Sequence, residues 1–411
     1  MSNLLYGLRP YGRIIQAGPF TDGGSKPTPD ESIGYLPDQF TIIAYNTDGT
    51  KSAIFGAGSE ANNLANFEFE LIETGCGAAT FTFNSMPTNS ELDYKQRIDI
   101  HLFNDPRPWW SGYILSRPIE GTTAKDKKFT AHGYYNILEK VIIKQVYQNT
   151  EVSQIVADIA RQIERKVGLA YNGNKIINTG YTISYLDLDG VTVKEALNQL
   201  SDFALDYVYG VDEYRQLYFK PRVVDVNEQA RFWLGYGTTT YEPSFDITKI
   251  VNHAYIKGAA VDDSGEQWLA EVENVESQLK YGVQEAIWSL PSAYIAADAI
   301  RWGNNQLEYY KEPVKSAKVG GVNLEYPRAD GSFFVRKLST DGLAVITSYD
   351  GVAHEYPISK LKYKVSDTVG ISLNMELGTP EQLLTEDLFN IERLARDAEL
   401  LQQASTKQTA T

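Results

Sequence analysis

The residue types that could carry out catalysis or bind a metal are few and widely spaced in this sequence. Four histidines lie far apart in segments that resemble β-strands: His101, His132, His253 and His354. A zinc site needs three or four such ligands brought together, and no H-E-x-x-H pattern places two of them on one helix. We therefore predict structural roles for all four histidines, with no metal and no cofactor.

Three short patterns match fragments of catalytic or calcium-binding motifs. Ser277-Gln278-Leu279-Lys280 fits the S-x-x-K of penicillin-recognising enzymes, but neither K-T-G nor S-D-N accompanies it. Asp263-Ser264-Gly265 fits an aspartic-protease tripeptide, yet it stands in a polar, turn-like segment. Asp187-Leu188-Asp189-Gly190 lacks the further oxygen ligands of a calcium loop. We predict no catalytic residues, although the 53 Asp and Glu residues leave a carboxylate pair for glycoside hydrolysis open, since spacing alone selects none.

Two further features have both a structural and a functional interpretation. Trp109 and Trp110, near Tyr113, could stack against a sugar ring, but their position at the start of a strand favours a core or interface anchor. The single cysteine, Cys76, lies in Glu73-Thr74-Gly75-Cys76-Gly77 between two strand-like runs, where a small buried thiol is favoured. One cysteine cannot form an intrachain disulfide.

The composition excludes several classes of protein. The 411 residues contain 38 Lys and Arg and 53 Asp and Glu, giving a net charge of −15, whereas a duplex nucleic-acid binder normally has a basic face. The N-terminal segment contains Arg9 and Arg13 but no apolar run that would predict a signal peptide. The sequence contains no run of about 18 apolar residues, so it predicts no membrane helix. We expect a soluble protein made in a reducing compartment, and its 27 Tyr and 32 Gly indicate many strands and tight turns.

Between about residues 38 and 140, apolar and polar residues alternate in short runs. These runs are Phe40–Tyr45, Phe67–Leu71, Ala79–Phe83, Ile98–Phe103 and Trp110–Leu115. A period of two is typical of strands, and Asn46-Thr47-Asp48-Gly49 is a hairpin turn signal. The pattern predicts a β-barrel or a β-sandwich.

The period then becomes helical. One apolar face, made of Val152, Ile155, Val156, Ile159 and Ile163, predicts a helix over about 150–166. Thr192 and Glu195 form a capping box that opens a second helix. Its stripe comprises Leu197, Leu200, Ala204 and Tyr207, and a strand, turn and strand follow over 207–219.

Strands resume at about residue 230 and continue to Gly378, with one helix among them. We predict that this helix follows Pro291, with Ser292 as its N-cap. Its predicted buried stripe is Ala296, Ile300, Gly303, Leu307 and Tyr310. The last segment, 380–406, predicts a charged helix with a short heptad seam of Leu384, Leu388, Ile391, Ala395 and Ala398.

Four segments in this order resemble the hub proteins at the distal end of bacteriophage tails, the baseplate or tail-tip hub family. The first is the strand-like Trp110-Ser111-Gly112-Tyr113-Ile114, and the second runs from Thr192-Val193-Lys194-Glu195 through Tyr207-Val208-Tyr209-Gly210 to Leu217-Tyr218-Phe219. The third comprises Asp246–Asn252 with Tyr255 and Gly258, followed by Ser277–Gly282. The fourth is Gly370–Gly378. Together they span about residues 38–380, and only the arm before and the tail after them depart from the pattern.

The resemblance implies a mainly β fold with α+β insertions, with two tail-tube-like β-barrel domains, smaller decorating domains and a C-terminal helix. We divide the chain into an N-terminal arm (1–37), a first barrel (38–144), a small α+β domain (145–225), a second barrel (226–380) with a helical insertion near 290–312, and a helical tail (381–411). From this resemblance we expect a virion structural protein and not an enzyme.

The family further implies a homotrimeric ring that continues the tail tube and lets DNA pass during ejection. Its expected partners are the tail tube or distal tail protein, the spike or central fibre protein and possibly the tape measure protein, with neither sequence-specific DNA binding nor a membrane span. Acidic side chains lining the channel would repel DNA phosphates. Two alternatives stay open: a carbohydrate-binding protein or glycan hydrolase, and the hub of a related contractile injection machine.

Overall fold

A computed structural model describes residues 40–46, 48–56, 64–85, 87, 91–103, 105–117, 127–262, 265–327, 333–366 and 370–378. The predicted N-terminal arm (1–37) and the predicted C-terminal helix with its heptad seam lie outside these residues. Asp263 and Ser264 of the protease-like tripeptide also lie outside them.

In the first part of the chain, the described residues form seven antiparallel strands, so the predicted strand runs are confirmed. The strands are β1 (Phe40–Tyr45), β2 (Lys51–Gly56), β3 (Leu64–Ile72), β4 (Gly75–Phe83), β5 (Arg97–Leu102), β6 (Trp110–Ser116) and β7 (Lys127–Gly133). Alternate residues point to one side, and on β1 and β4 this side is the buried one: Phe40, Ile42 and Ala44, then Ala79 and Phe81. A 3₁₀ helix, Tyr134–Lys140, ends this part of the chain.

The next segment is an α+β unit. Its elements are β8 (Val146–Glu151), α1 (Val152–Val167), β9 (Thr182–Asp187), α2 (Val193–Ala204), β10 (Tyr207–Val211) and β11 (Leu217–Pro221), with a 3₁₀ turn at Gly173–Lys175. All five predicted core residues of α1 are buried. The capping box of α2 is confirmed, because the Thr192 hydroxyl accepts from the Glu195 amide and the Glu195 carboxylate accepts from the Thr192 amide.

Later strands extend the first sheet. They are β12 (Val226–Trp233), β13 (Thr240–Asp246), β17 (Val314–Val322), β20 (Leu343–Thr347), β21 (Ala353–Ser366) and β22 (Gly370–Gly378). Strands β18 (Glu325–Pro327) and β19 (Phe333–Val335) form a two-stranded sheet of their own. Strand β21 pairs with β3 from Lys360 opposite Ile72 to Ser366 opposite Asn66. The main sheet therefore has the order β13-β17-β22-β21-β3-β4-β7-β6-β5-β1-β2, with β20 and β12 branching from β21 and β10 and β11 from β4.

The predicted mainly β class is confirmed, and most of the described strand pairs are antiparallel. The strand order is an open path from β13 to β2, so the division into two barrels stays a prediction, as do the domain boundaries. One apolar cluster joins the first seven strands to the last ones, since Phe69 of β3 stacks on Tyr363 of β21 with ring centroids 4.8 Å apart.

A separate unit is inserted between β13 and β17. It comprises β14 (His253–Asp262), β15 (Gly265–Glu273), α3 (Val275–Tyr281), β16 (Glu285–Ser289) and α4 (Ala296–Tyr310), and its three strands form a sheet of their own.

Helix α4 corrects part of the sequence prediction. Ile295, not Ser292, precedes its first residue, and no side chain caps it. Gly303 and Leu307 are buried as predicted, but Ala299 completes the buried stripe while Ile300 is exposed. The sheet against which α4 packs selects this face: a Cβ on Gly303 would collide with Ile256 of β14.

Candidate functional site

The hairpin turn between β3 and β4 is where the α+β unit attaches to the main sheet. The amide of Val211, at the end of β10, donates to the carbonyl of Thr74 at 3.1 Å, and Val211 lies opposite Gly75 in a short parallel pairing. Gly75 has a φ of +109°, and a Cβ there would overlap the Val211 carbonyl oxygen. Only glycine therefore permits both the turn and the close approach of β10.

The same turn holds a half-buried ion pair. The Arg222 guanidinium contacts the Glu73 carboxylate, and the Tyr218 hydroxyl donates to the Glu73 carbonyl. Burial lowers the pKa of Arg222 and raises the pKa of Tyr218 well above its ordinary value. The Arg222 guanidinium needs the Glu73 carboxylate, because removal of the carboxylate would leave a half-buried positive charge without this partner.

We expect Glu73→Gln to lower the free energy of unfolding by about 1.5–3 kcal/mol, the cost of removing a hydrogen bond to a buried charged group. Glu139→Gln is the matched control, because its pair with Lys194 is more exposed and should be worth less than about 1 kcal/mol. Urea denaturation followed by circular dichroism measures both values. Equal losses in the two variants would contradict the prediction.

Trp109 and Trp110 are core residues, as the sequence favoured. Their exposed fractions are 1% and 0%, so neither ring is available to stack on a sugar. The Trp109 indole donates to the Asp105 carboxylate at 3.2 Å, and the Trp110 indole donates to the Gly77 carbonyl at 3.2 Å. Buried indoles normally find such partners.

A cavity of about 590 Å³ lies where the α+β unit meets the main sheet. Its wall contains three ion pairs: Lys175 with Asp212, Lys220 with Asp341 at 2.6 Å, and Lys337 with Glu213 at 3.8 Å. Burial lowers the pKa of Lys337, whose ammonium also lies 5.6 Å from the centre of the Trp109 ring. The Lys220–Asp341 and Lys337–Glu213 pairs link the α+β unit to the main sheet, whereas Lys175–Asp212 lies within the unit. Arg107, the fourth cation of the wall, pairs with the Asp105 carboxylate at 3.1 Å.

Cys76, also on the cavity wall, is the buried thiol that the sequence predicted. Burial raises the pKa of this thiol, and the amide of Ser111 approaches its sulfur at 3.4 Å. A thiol is a weak nucleophile compared with a thiolate. The residue therefore acts as a small apolar side chain at the start of β4.

The four histidines lie in or beside strands, as predicted. The Nδ1 of His101 is 3.1 Å from the Asp105 carbonyl, His253 lies between Glu271 and Glu285, and the His354 ring packs near Tyr241 and Tyr356. His132 pairs in the sheet with Ala78 and Tyr113. Within the described part of the chain, no three His, Cys, Asp or Glu side chains are grouped so that they could hold a metal ion.

The short sequence patterns that match catalytic or calcium-binding motifs have structural roles where the structure describes them. The buried Ser277 hydroxyl donates to the Lys311 carbonyl at 2.6 Å, while Lys280 is paired with Glu312 at the surface. Asp187 accepts from the Asp189 amide at 2.9 Å in a turn after β9. None of the described helices is long and apolar enough to cross a lipid bilayer.

Two kinds of surface that the sequence analysis did not identify could bind partners. Among the described strands, β2 and β13 are the ends of the main sheet and leave one edge unpaired. Pro243 interrupts the row of donors on β13, whereas β2 contains no proline. The second surface is one face of the small inserted sheet, where Trp268 and Ile287 are exposed. In the sequence, the signal that could have indicated this face is the alternation of polar and apolar residues along β14.

No known family model and no curated protein sequence matches this chain. Solved structures do match it. The 43 kDa tail protein of prophage MuSo2 from Shewanella oneidensis superimposes with a TM-score of 0.59 at 14% identity, covering 84% of this chain and 99% of that one. The chain has the fold of a phage tail protein.

Two further tail proteins support this assignment of the fold. Prophage tail protein gp18 from Listeria monocytogenes EGD-e has a TM-score of 0.56 at 12% identity, over 87% of this chain and 99% of its own. The tail protein from Neisseria meningitidis MC58 has a TM-score of 0.56 at 9% identity, over 83% of this chain and 97% of its own. The shared fold thus extends over nearly all of each tail protein.

Proposed function

We propose that this protein is a non-enzymatic structural component of a bacteriophage tail. The observation that carries the proposal is the shared fold, which covers 83–87% of this chain and at least 97% of three tail proteins, two of them from prophages. The internal chemistry agrees with a structural role. The cavity wall pairs its lysines with carboxylates, and the conspicuous tryptophan pair is buried in the core.

More specifically, we propose that the protein is the baseplate or tail-tip hub, a homotrimeric ring that continues the tail tube. Two features of the chain support this. Its order of segments resembles that of the hub family, and its main sheet contains both β1 and β22, the first and last of the described strands. The edge of β2 with which no described strand pairs would offer main-chain donors and acceptors to a neighbouring subunit.

In that position the ring would contact the tail tube or distal tail protein on one side and the spike or central fibre protein on the other. The tape measure protein is a third expected partner. DNA would pass through the channel in the virion. We retain the hypothesis that acidic side chains line the channel, in keeping with the net charge of −15.

Mass photometry and negative-stain microscopy of the purified chain test the hub proposal. We expect a particle of about 138 kDa, three times the 46.0 kDa chain, with threefold class averages and a central channel. A monomer at micromolar concentration that releases sugars from cell-wall preparations would contradict the proposal and support a glycan hydrolase.

The channel charge needs a separate measurement in assembled phage. Once microscopy identifies the acidic residues that face the channel, they are replaced by lysine, and the time course of DNA release is recorded. We expect slower release because lysines attract the phosphates. Unchanged release in particles that assemble normally would contradict a role for these charges.

A further inference from the structure

The small sheet of the inserted unit has two faces of different composition. Ala254 and Ile256 of β14 and Val272 of β15 are buried in the apolar cluster to which α4 contributes. Successive residues of a strand point to opposite faces. Tyr255 and Lys257 of β14 therefore lie on the face opposite α4.

Pairing in the sheet identifies the neighbours of these two residues. Tyr255 lies opposite Glu271 of β15 and Ile287 of β16, and Lys257 lies opposite Trp268. The Tyr255 hydroxyl donates to the Glu285 carboxylate at 3.4 Å. We call this surface the Trp268 face, and it consists of Tyr255, Lys257, Trp268, Glu271, Glu285 and Ile287.

Trp268 presents an aromatic ring to solvent, since its side chain is 57% exposed. The Tyr255 ring meets it at 89° with a centroid distance of 6.4 Å, and the Lys257 ammonium lies 4.8 Å from the centre of the indole. These two contacts restrict the orientation of the ring. An exposed indole of fixed orientation offers a flat surface on which the C–H groups of a sugar ring can stack.

Two carboxylates beside this ring are held in position by a histidine. Glu271 and Glu285 lie on either side of His253, with oxygens 2.6 Å and 3.2 Å from its two ring nitrogens. Their side chains nevertheless remain 60% and 58% exposed. Each carboxylate has two oxygens with several lone pairs, so both can accept further hydrogen bonds from a ligand.

This mixture of groups fits a small polar ligand better than a protein partner. The core of a protein interface is depleted in charged residues. On the Trp268 face, however, Lys257 lies directly opposite Trp268 and Glu271 lies directly opposite Tyr255. Sites for small ligands combine an apolar surface with a few well-placed polar groups in this way.

Ile287 and the balance of charge narrow the class of ligand. Ile287 is 63% exposed next to Tyr255 and offers an apolar contact for a methyl group. An N-acetylhexosamine has such a methyl group, a ring with an apolar C–H side, and N–H and O–H donors for the carboxylates. Two carboxylates against one ammonium disfavour an acidic sugar.

We propose that the Trp268 face binds N-acetylhexosamine units of a neutral glycan. The sugar ring stacks on the Trp268 indole and its acetamido methyl contacts Ile287. Glu271 and Glu285 accept hydrogen bonds from its N–H and hydroxyl groups. The inference goes beyond the proposed structural role and does not depend on it.

Isothermal titration calorimetry of the full chain with triacetylchitotriose tests the class of ligand. We expect a Kd of about 0.1–1 mM, as for a small ligand on an open surface. Cellotriose has the same linkages without the acetamido groups, and it should bind about fourfold more weakly, the effect of one buried methyl group. No heat of binding at about 5 mM sugar, or equal affinity for the two trisaccharides, would overturn the proposal.

Substitutions test the position of the site. Trp268→Ala should weaken the binding of triacetylchitotriose at least about tenfold, because the stacking surface is lost. Glu271→Ala should weaken it about three- to tenfold, the range for one hydrogen bond to a charged group. Trp233→Ala is the matched control, because Trp233 is 38% exposed but lies on β12 of the main sheet, and it should leave the affinity unchanged. Equal losses in the two tryptophan variants, with circular dichroism showing intact folds, would overturn the proposal.

Two further measurements distinguish the source of the sugar and other occupants of the Trp268 face. Cosedimentation with insoluble chitin and with purified peptidoglycan shows which polymer supplies the sugar. Retention on either polymer that is lost in Trp268→Ala supports the proposal, and retention on neither would overturn it. Mass photometry of Trp268→Ala tests whether a second copy of the chain covers this face instead, and a smaller particle than the unsubstituted protein forms would overturn the proposal. A failure to bind sugar in a particle of unchanged size would leave the structural role in a tail intact.

Discussion

Replacing Trp109 with alanine should lower the free energy of unfolding by about 3–5 kcal/mol, the range for truncating a buried tryptophan. The ring is 1% exposed and links both parts of the main sheet, with its centroid 5.4 Å from that of Phe103 and 5.7 Å from that of Tyr363 on β21. Its removal leaves a cavity and also deprives Asp105 of the indole donor. Chemical denaturation followed by near-ultraviolet circular dichroism measures the loss.

Tyr349→Ala is the control for this effect. Tyr349 is an aromatic residue in the turn between β20 and β21, and it is 79% exposed. Its removal should change the free energy of unfolding by about 0.5 kcal/mol or less, as for most surface substitutions. A Trp109→Ala protein that unfolds at the same denaturant concentration as the control would show that the two parts of the sheet do not depend on this ring.

Raising the pH above about 10, the ordinary pKa of tyrosine, should destabilise the protein steeply. Burial raises the pKa of Tyr134 to about 12, and burial together with the nearby Asp298 carboxylate raises that of Tyr181 to about 12. Burial also raises the pKa values of Tyr218 and Tyr363. Between pH 10 and 12 the unfolded chain therefore releases phenolic protons that the folded chain retains, which favours unfolding.

Lys337 acts in the opposite direction. Because burial lowers its pKa, the folded chain binds fewer protons than the unfolded chain below pH 10.5, and this amine adds stability as the pH rises. The tyrosines with raised pKa values outnumber it, so we expect a net loss.

Thermal melting at pH 8–11.5, together with absorbance at 295 nm, measures the alkaline loss and the ionisation of the phenols. Tyr134→Phe should reduce the dependence of the melting temperature on pH, whereas Tyr94→Phe, an exposed tyrosine, should not. A melting temperature that stays constant to pH 11.5 would contradict the assignment.

Elements whose formation depends on neighbouring residues could be predicted from the sequence. The apolar face of α1 and the capping box of α2 involve residues at most a few positions apart. The same holds for the alternating strands β1 and β4. The burial of Trp109 and Cys76 was also favoured, since large aromatic residues at the start of a strand and isolated thiols are usually buried.

The buried face of α4, the helix that follows β16, could not be predicted from the local sequence. Two apolar stripes are available on α4, and they share Gly303 and Leu307. The sequence alone gave preference to the stripe with Ile300. The packing of Gly303 against Ile256 instead buries Ala299 and leaves Ile300 exposed, because the shape of the neighbouring sheet decides which side of a helix fits closest.

The sequence by itself determined the class of the fold and most of its local elements, because hydrophobic period and capping residues act over a few positions. Only the tertiary structure decided that β21 pairs with β3, that the turn at Gly75 receives β10, and that α4 packs on the face of the inserted sheet that contains Ala254 and Ile256. The residues that meet at these places are separated by more than a hundred positions along the chain or belong to different strands. Their contacts depend on complementary shapes and unpaired backbone groups, which no local pattern encodes.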